Sequence, residues 1–276
     1  MKIIQEIVQL QTAISKLDLA TIGFVPTMGA LHEGHEALIK KAKEENDLVV
    51  VSIFVNPTEF GPHEDYESYP RDLEADAKVC AILEVDILFA PSVSEMYRNN
   101  SDISFNAGSS SKIMCGATRP GHFNGVLQIF NKFFGLINPT RVYFGQKDAQ
   151  KIALLRAFVH DYYLPIEIKM VPTVRDLDGL AYSARNGLLT EQERQQAVEL
   201  HRALLLAKAR LKDGEEQAVV LMQARSKLEQ TVGKVDYMEF LSYPDLTKDV
   251  HASEYKILAA ALQFSTVRLI ENEIFE

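Results

Sequence analysis

The sequence is short of cysteine, of positive charge and of long apolar runs, and each shortage removes a class of protein. Cys80 and Cys115 are the only two cysteines. They stand in unrelated contexts without metal-ligand spacing, which excludes a disulfide framework or a cysteine-ligated zinc module and leaves reduced structural thiols. Twenty-nine Lys and Arg against 38 Asp and Glu give a net charge of −9. That sign argues against a general nucleic-acid binder, so no nucleic-acid partner is expected. An anionic substrate would then need a pocket in which Lys, Arg and His gather against the average. No window is long and apolar enough to span a bilayer, and no membrane partner is expected. The N-terminal MKIIQEIVQLQTAISKLDLA sets apolar residues at helical spacing, interrupted by Gln and Glu, unlike a secretory signal; it reads as a helix in a cytoplasmic chain. No repeat or low-complexity tract appears, and the loosest segment, roughly 99–121, is short.

What is present is alternation. Apolar, β-branched runs at TIGFV, LVVVSIFV, VDILFA, RVYF and IEIKMVPTV are separated by helical patterns over 35–45, 72–83, 125–137 and 147–163. Continuous apolar strands between helices predict an α/β fold, a Rossmann-like doubly wound parallel sheet over residues 1–175. Ligands should then sit beyond the carboxyl ends of the strands, where FVPTMG, SIFVNP, YFGQKD and VPTVRD fall. Residues 176–276 change texture. A long helix opens at Thr190 with Glu193 three residues on, a capping box. A second helix over 215–230, a strand over 235–242, a helix over 254–262 and a closing strand in STVRLIEN complete a smaller α+β domain, expected to act as a lid.

The stretch FVPTMGALHEGHEALIKKAK places His32 and His35 where a strand, a loop and a helix start meet. A helix N-terminus there is an anion site, and two histidines three apart can both donate to one phosphate. In the plainer reading one histidine caps the helix and the other is packed. A zinc pair has no third ligand at motif spacing and no HExxH.

PTMGALHEGH resembles the HIGH signature of the nucleotidyltransferase superfamily, and YSARN its mobile second loop. With SIFVNPTEFGPHEDYESYPRDLEAD, RPGHFNGV, YFGQKDAQK, SARNGLLTEQER, VDYMEFLSYPDL and TVRLIEN, the chain from Gly23 to its end resembles the pantoate–β-alanine ligases. The resemblance implies that ATP, with Mg²⁺ as its companion, adenylates pantoate, and that β-alanine then displaces AMP. It implies catalytic roles on the phosphates for His32, His35, Lys147, Ser183 and Arg185. Pro26, Thr27 and Met28 match the loop lining nucleotide and acid, Gly145 and Asp148 the adenosine and ribose contacts, and Val174 joins the nucleotide set. Phe144 matches a wall of the acid pocket. Asp76 lies where the family carries metal-linked acids, with a surface salt bridge as its other reading; the metal ligands stay open. A homodimer through the N-terminal domain is implied as well.

The acid pocket departs from the family. Two glutamines that hold pantoate are replaced by Glu59, in NPTEF, and Lys151. Gln128 and Phe130 stand where the family has Thr and Val, and Ala184 has lost a hydroxyl. Three alternatives therefore stay open: the same ligase chemistry on a related acid and amine, a nucleotidyltransferase that stops at the adenylate, and a nucleotide-binding homologue without turnover.

Overall fold

The computed structural model describes all residues except 17–19, 63 and 98–101. The last residues of the expected N-terminal helix and the start of the loose segment at 99–101 lie outside the described residues. The described chain forms two compact units. The first comprises Met1–Ala107, Arg119–Gly145 and Leu154–Pro172; the second comprises Gly108–Thr118, Gln146–Ala153 and Thr173–Glu276.

The first unit holds a six-stranded sheet made of β1 (Lys2–Ile4), β2 (Ile22–Thr27), β3 (Leu48–Ile53), β4 (Ile87–Phe89), β5 (Arg141–Gly145) and β6 (Glu167–Val171). The order is β1-β4-β3-β2-β5-β6 with every described pairing parallel. Its helices are α1 (Ile7–Ile14), α2 (Glu33–Glu45), α3 (Leu73–Ile82) and the one-turn α4 (Val93–Met96). One core cluster packs Val25, Val49, Val51 and Leu88 of the strands against Leu38, Ile39 and Ala42 of α2 and Cys80 of α3. Burial pushes the Cys80 thiol up to about 12, with the Asp76 charge adding to it, so this cysteine stays an inert thiol.

The second unit begins with the one-turn α5 (Cys115–Thr118). The long α6 (His122–Ile137) belongs to the first unit, and α7 (Ala149–Asp161) runs from the second unit into the first. The body of the second unit is α8 (Glu191–Lys212), α9 (Gln217–Leu228) and an antiparallel sheet in the order β7 (Lys234–Tyr243), β8 (Tyr255–Gln263), β9 (Arg268–Phe275). Thr190 caps α8, and the Glu193 side chain returns to the Thr190 amide, so the capping box is complete.

Two expectations need correction. The N-terminus is not one helix: Lys2–Ile4 pair with Ile87–Phe89 as an edge strand, and the helix starts only at Ile7. The apolar spacing could not show this, because three residues carry too little period to separate strand from helix. Residues 254–262 are also not helical. The segment EYKILAAAL has high helix propensity, yet it is the middle strand, paired along its length with β7 and β9. Leu258, Ala260 and Leu262 bury one face in the cluster that holds Ala203, Leu204 and Ala207 of α8. Ala259 and Ala261 on the other face are also buried. Small side chains suit a strand covered on both sides, and packing overrides propensity.

Candidate active site

In the first unit the chain runs outward from β2 to β3 and β4 on one side, then restarts at β5 and β6 on the other, so the switch point lies between β2 and β5. Ligand crevices form there, beyond the carboxyl ends. The pairing confirms an opening: β2 matches β3 over six residue pairs but β5 over only Gly23 and Phe24. Thr27 accepts from Phe54 on the β3 side, so Pro26, one residue earlier, faces β5. A proline without an N–H is tolerated there because that ladder has already ended.

The loop leaving β2 is held from two directions. The Thr27 hydroxyl donates to Ser52 O at 2.7 Å and accepts from Gly29 N. Both oxygens of Asp76 accept backbone amides, Ala30 N at 3.0 Å and Leu31 N at 2.7 Å. Gly29 has φ +85°, and a Cβ there would stand 2.8 Å from the Asp76 carboxylate. Burial holds the Asp76 carboxyl above its ordinary range against the lowering pull of the two amides. Asp76 is thus not on the surface, as one reading had it, and pairs with no cation among the described residues; it is 3% exposed and fixes the approach to the histidines.

His32 is the N-cap of α2, and its Nδ1 accepts from Gly34 N at 3.2 Å. An accepting Nδ1 places the proton of the neutral ring on Nε2, which becomes the donor. The capping part of the plainer reading therefore holds for His32, and the same bond makes Nε2 the donor that the functional reading requires. The His35 ring lies beside it, centroids 4.1 Å apart and 32° between planes, at the positive end of α2. Two ring donors beside a helix N-terminus suit a phosphate.

The NPTEF turn follows β3. Asn56 is buried and its Oδ1 accepts from Thr58 N and Oγ1 and from the Tyr97 hydroxyl, while its Nδ2 donates to Glu59 Oε1 at 3.1 Å. Glu59 is 4% exposed. Its carbonyl accepts from Arg119 Nη2 at 3.0 Å and bonds His122 Nδ1 at 2.8 Å, and Arg119 also pairs with Glu64. A Cβ on Gly125 would fall 2.1 Å from Thr58 O. The RPGHFNGV block is therefore the clamp for the NPTEF turn, which its sequence did not announce. Of the other acid-pocket candidates in this unit, Phe130 and Phe144 are buried against each other with centroids 5.3 Å apart, inside an aromatic cluster with Phe133 and Phe134, and Gln128 is half-buried. Gly145 ends β5, and a Cβ there would meet nothing within 4 Å.

The second unit carries the other candidates. Lys147 lies in the 3₁₀ turn Gln146–Asp148 that opens α7, and its ammonium donates to Tyr182 O at 2.6 Å. Loss of water around the ammonium lowers its pKa; Asp148 and Glu271 oppose this, and Arg185 and Arg175 add to it. Three cations thus crowd one place, as an anion site requires. Val174 O accepts from Tyr182 N, and the Ser183 hydroxyl accepts from Arg185 N at 3.3 Å, shaping the YSARN turn. Lys151 is half-buried on α7. Beside it Gln150 is committed elsewhere, bonding Ser110 O, Ile113 O and Cys115 N.

Sequence reasoning missed Asp76 as a loop anchor, the Arg119–His122–Gly125 clamp, and the partners of Lys147 on β9. Arg175 sits in VPTVRD, and Glu271 and Asn272 in TVRLIEN; the blocks were noticed, but their pairing across the chain could not be.

A sequence model of the family described as pantoate-beta-alanine ligase matches residues 2–274. The chain belongs to the pantoate–β-alanine ligase family. It is 51% identical over 256 residues to the pantothenate synthetase of Lysinibacillus sphaericus, covering 92% of this chain and 90% of that protein. The Bacillus subtilis pantothenate synthetase is 44% identical over 279 residues, with 100% and 98% covered. Among solved structures, the Thermus thermophilus enzyme superposes with a TM-score of 0.94 at 40% identity, 99% of each chain covered. A Francisella tularensis pantoate-beta-alanine ligase, complexed with beta-gamma ATP and β-alanine, gives 0.85 at 35%, covering 99% of this chain and 97% of that one.

Proposed function

We propose that this chain is an AMP-forming ligase that joins pantoate to β-alanine. A pantoate carboxylate oxygen attacks the α-phosphorus of ATP; the bond from that phosphorus to the β-phosphate oxygen breaks, and pyrophosphate leaves. The β-alanine amine then attacks the acyl carbon, the acyl–oxygen bond breaks, AMP departs and the amine sheds a proton. The observation that carries the reading is the His32–His35 pair at the switch point, one ring capping α2 and the other tilted beside it, in a chain of this family. The histidines supply oriented donors where charge develops on phosphate oxygens, and such preorganised donors are where most of the rate gain arises.

Lys147, Ser183 and Arg185 of the second unit are assigned phosphate contacts, Asp148 the ribose, and Pro26, Thr27, Met28, Gly145 and Val174 the remaining nucleotide contacts. Glu59, Gln128, Phe130, Phe144 and Lys151 are assigned to the acid. Mg²⁺ is proposed to arrive on the ATP phosphates, where it neutralises charge. Among the described residues no group of three His, Cys, Asp or Glu could hold a metal, and both Asp76 oxygens are engaged by backbone amides. A homodimer, a cytoplasmic location and a lid role for residues 176–276 belong to the same proposal; no helix among the described residues is long and apolar enough to cross a membrane.

A different acid at the Glu59 and Lys151 positions is not favoured, since the relatives share the pantothenate synthetase name across nearly the full chain. The test is pyrophosphate release from ATP and Mg²⁺ with pantoate, followed by pantothenate detection when β-alanine is added. Release and amide together are expected. Silence with pantoate but release with another small acid would replace the substrate and keep the chemistry.

A further inference from the structure

We propose that Glu271 and Asn272, adjacent on β9, are positioning residues for phosphate chemistry: they fix the turn carrying Lys147 and orient the guanidinium of Arg175 beside it. The proposal rests on the reading above that Lys147 addresses ATP. Both residues are 3% exposed. The single Asn272 amide nitrogen donates to two successive carbonyls, Gln146 O at 2.9 Å and Lys147 O at 3.1 Å. These carbonyls belong to the short turn between β5 and α7, and gripping both sets the direction from which the lysine side chain leaves. Gln146 Nε2 returns a bond to Asn272 Oδ1 at 3.4 Å.

Glu271 takes both terminal nitrogens of Arg175, one of them at 3.0 Å, and its Oε1 also accepts from Asn272 N at 2.9 Å. Arg175 Nη1 also donates to Gly179 O at 3.2 Å. Both terminal nitrogens are thus bonded within the protein, so Arg175 acts as a fixed charge. A buried bidentate pair holds its geometry, and removing one member strands the other. Two adjacent side chains pointing to opposite faces of a strand would not normally serve one site. Here Asn272 reaches the backbone of the lysine turn while Glu271 reaches the arginine, and the hydrogen bond that Asn272 N donates to Glu271 Oε1 ties the two together.

The charges facing Lys147 are Asp148 on its own turn, Arg175 and Arg185 from the segment before α8, and Glu271 on β9, with Tyr182 O as hydrogen-bond acceptor. Glu271 favours the ammonium. Without that carboxylate the lysine gives up its proton at lower pH, so the alkaline limb of the adenylation rate moves down in pH.

The experiment compares pantoate-dependent pyrophosphate release, as kcat and KM for ATP across pH, in the wild-type chain, Asn272→Ala and Glu271→Gln, with folding checked by circular dichroism. Misplacing a reacting group by about an ångström costs on the order of 10²-fold. We expect kcat to fall about 10- to 100-fold in Asn272→Ala while KM for ATP moves less than about 3-fold. In Glu271→Gln the alkaline limb should shift down by about half a pH unit or more, and Glu271→Asp should restore part of it. Should Asn272→Ala not fold, the pH profile of Glu271→Gln decides. Unchanged kcat in the folded variants, or loss of rate that only tracks loss of folded protein with the pH profile unmoved, would overturn the proposal. A wild-type chain silent with pantoate would instead bring down the functional reading, and this inference with it.

Discussion

The two units hold their candidate phosphate residues in opposite ways. In the first, the candidate parts lie close in sequence: Thr27, Gly29, His32, Gly34 and His35 belong to one loop and one helix start, held from outside by Ser52 O and Asp76. In the second, the Lys147 ammonium donates to Tyr182 O, 35 residues away, its carbonyl accepts from Asn272, 125 away, and the Arg175–Glu271 pair spans 96 residues. A helix cap orients a donor with local bonds alone, whereas a lysine on a flexible stem needs its turn and neighbouring charges fixed by distant strands. Local motifs are therefore readable, and distributed ones must be seen.

The sharpest break of this comparison is to remove one candidate phosphate contact from each unit. His35→Ala and Lys147→Ala should each lower adenylation by about two orders of magnitude while thermal unfolding stays near that of the parent. Unchanged pyrophosphate release in both would end the phosphate assignment. Next comes Gly125→Ala, which drives a methyl into Thr58 O and should cost about 1–3 kcal/mol in chemical denaturation, with weaker pantoate binding because the NPTEF turn shifts. A variant as stable as the parent would show that α6 can yield.

A third test separates ligand space from packing. Gly145 has no positive φ and open room at its Cβ, so Gly145→Ala should leave stability equal or raise it by about 0.4–1 kcal/mol while raising KM for ATP. A drop in stability with KM unchanged would assign the glycine to the fold instead. The smallest effect concerns the α8 cap. Bonds from Ser265 and Thr190 hold the Glu193 carboxyl down at about 2 from its ordinary 4.5. Its contribution is thus present above about 4.5 and is lost as pH falls toward 2. Unfolding followed across that window should show a slope that Glu193→Gln flattens; an identical slope would remove Glu193 from the acid sensitivity of this unit.

Much of the fold was legible because its signals are periodic. Five of the six parallel strands and the helices between them follow from β-branched runs and amphipathic spacing, and the α8 cap follows from Thr190 and Glu193. The failures have definite causes. Lys2–Ile4 is too short for a period, and Tyr255–Gln263 contains alanines whose helical preference yields to strand neighbours on both sides. The histidine pair was visible, as was the capping role offered as its rival; that the two readings are compatible in one residue became clear only from the bond between Gly34 N and His32 Nδ1.

The sequence by itself determined the alternation of strands and helices, the histidine entry to α2 and membership of a ligase family, because each is written in contiguous residues whose spacing has a physical meaning. Tertiary structure alone decided that Asp76 holds a loop, that Arg119, His122 and Gly125 grip the NPTEF turn, and that Asn272 of β9 bonds the Lys147 carbonyl. Those relations are made by side chains meeting backbone groups far away in the chain. A hydrogen bond leaves a periodic trace in sequence only when both its partners belong to the same local element.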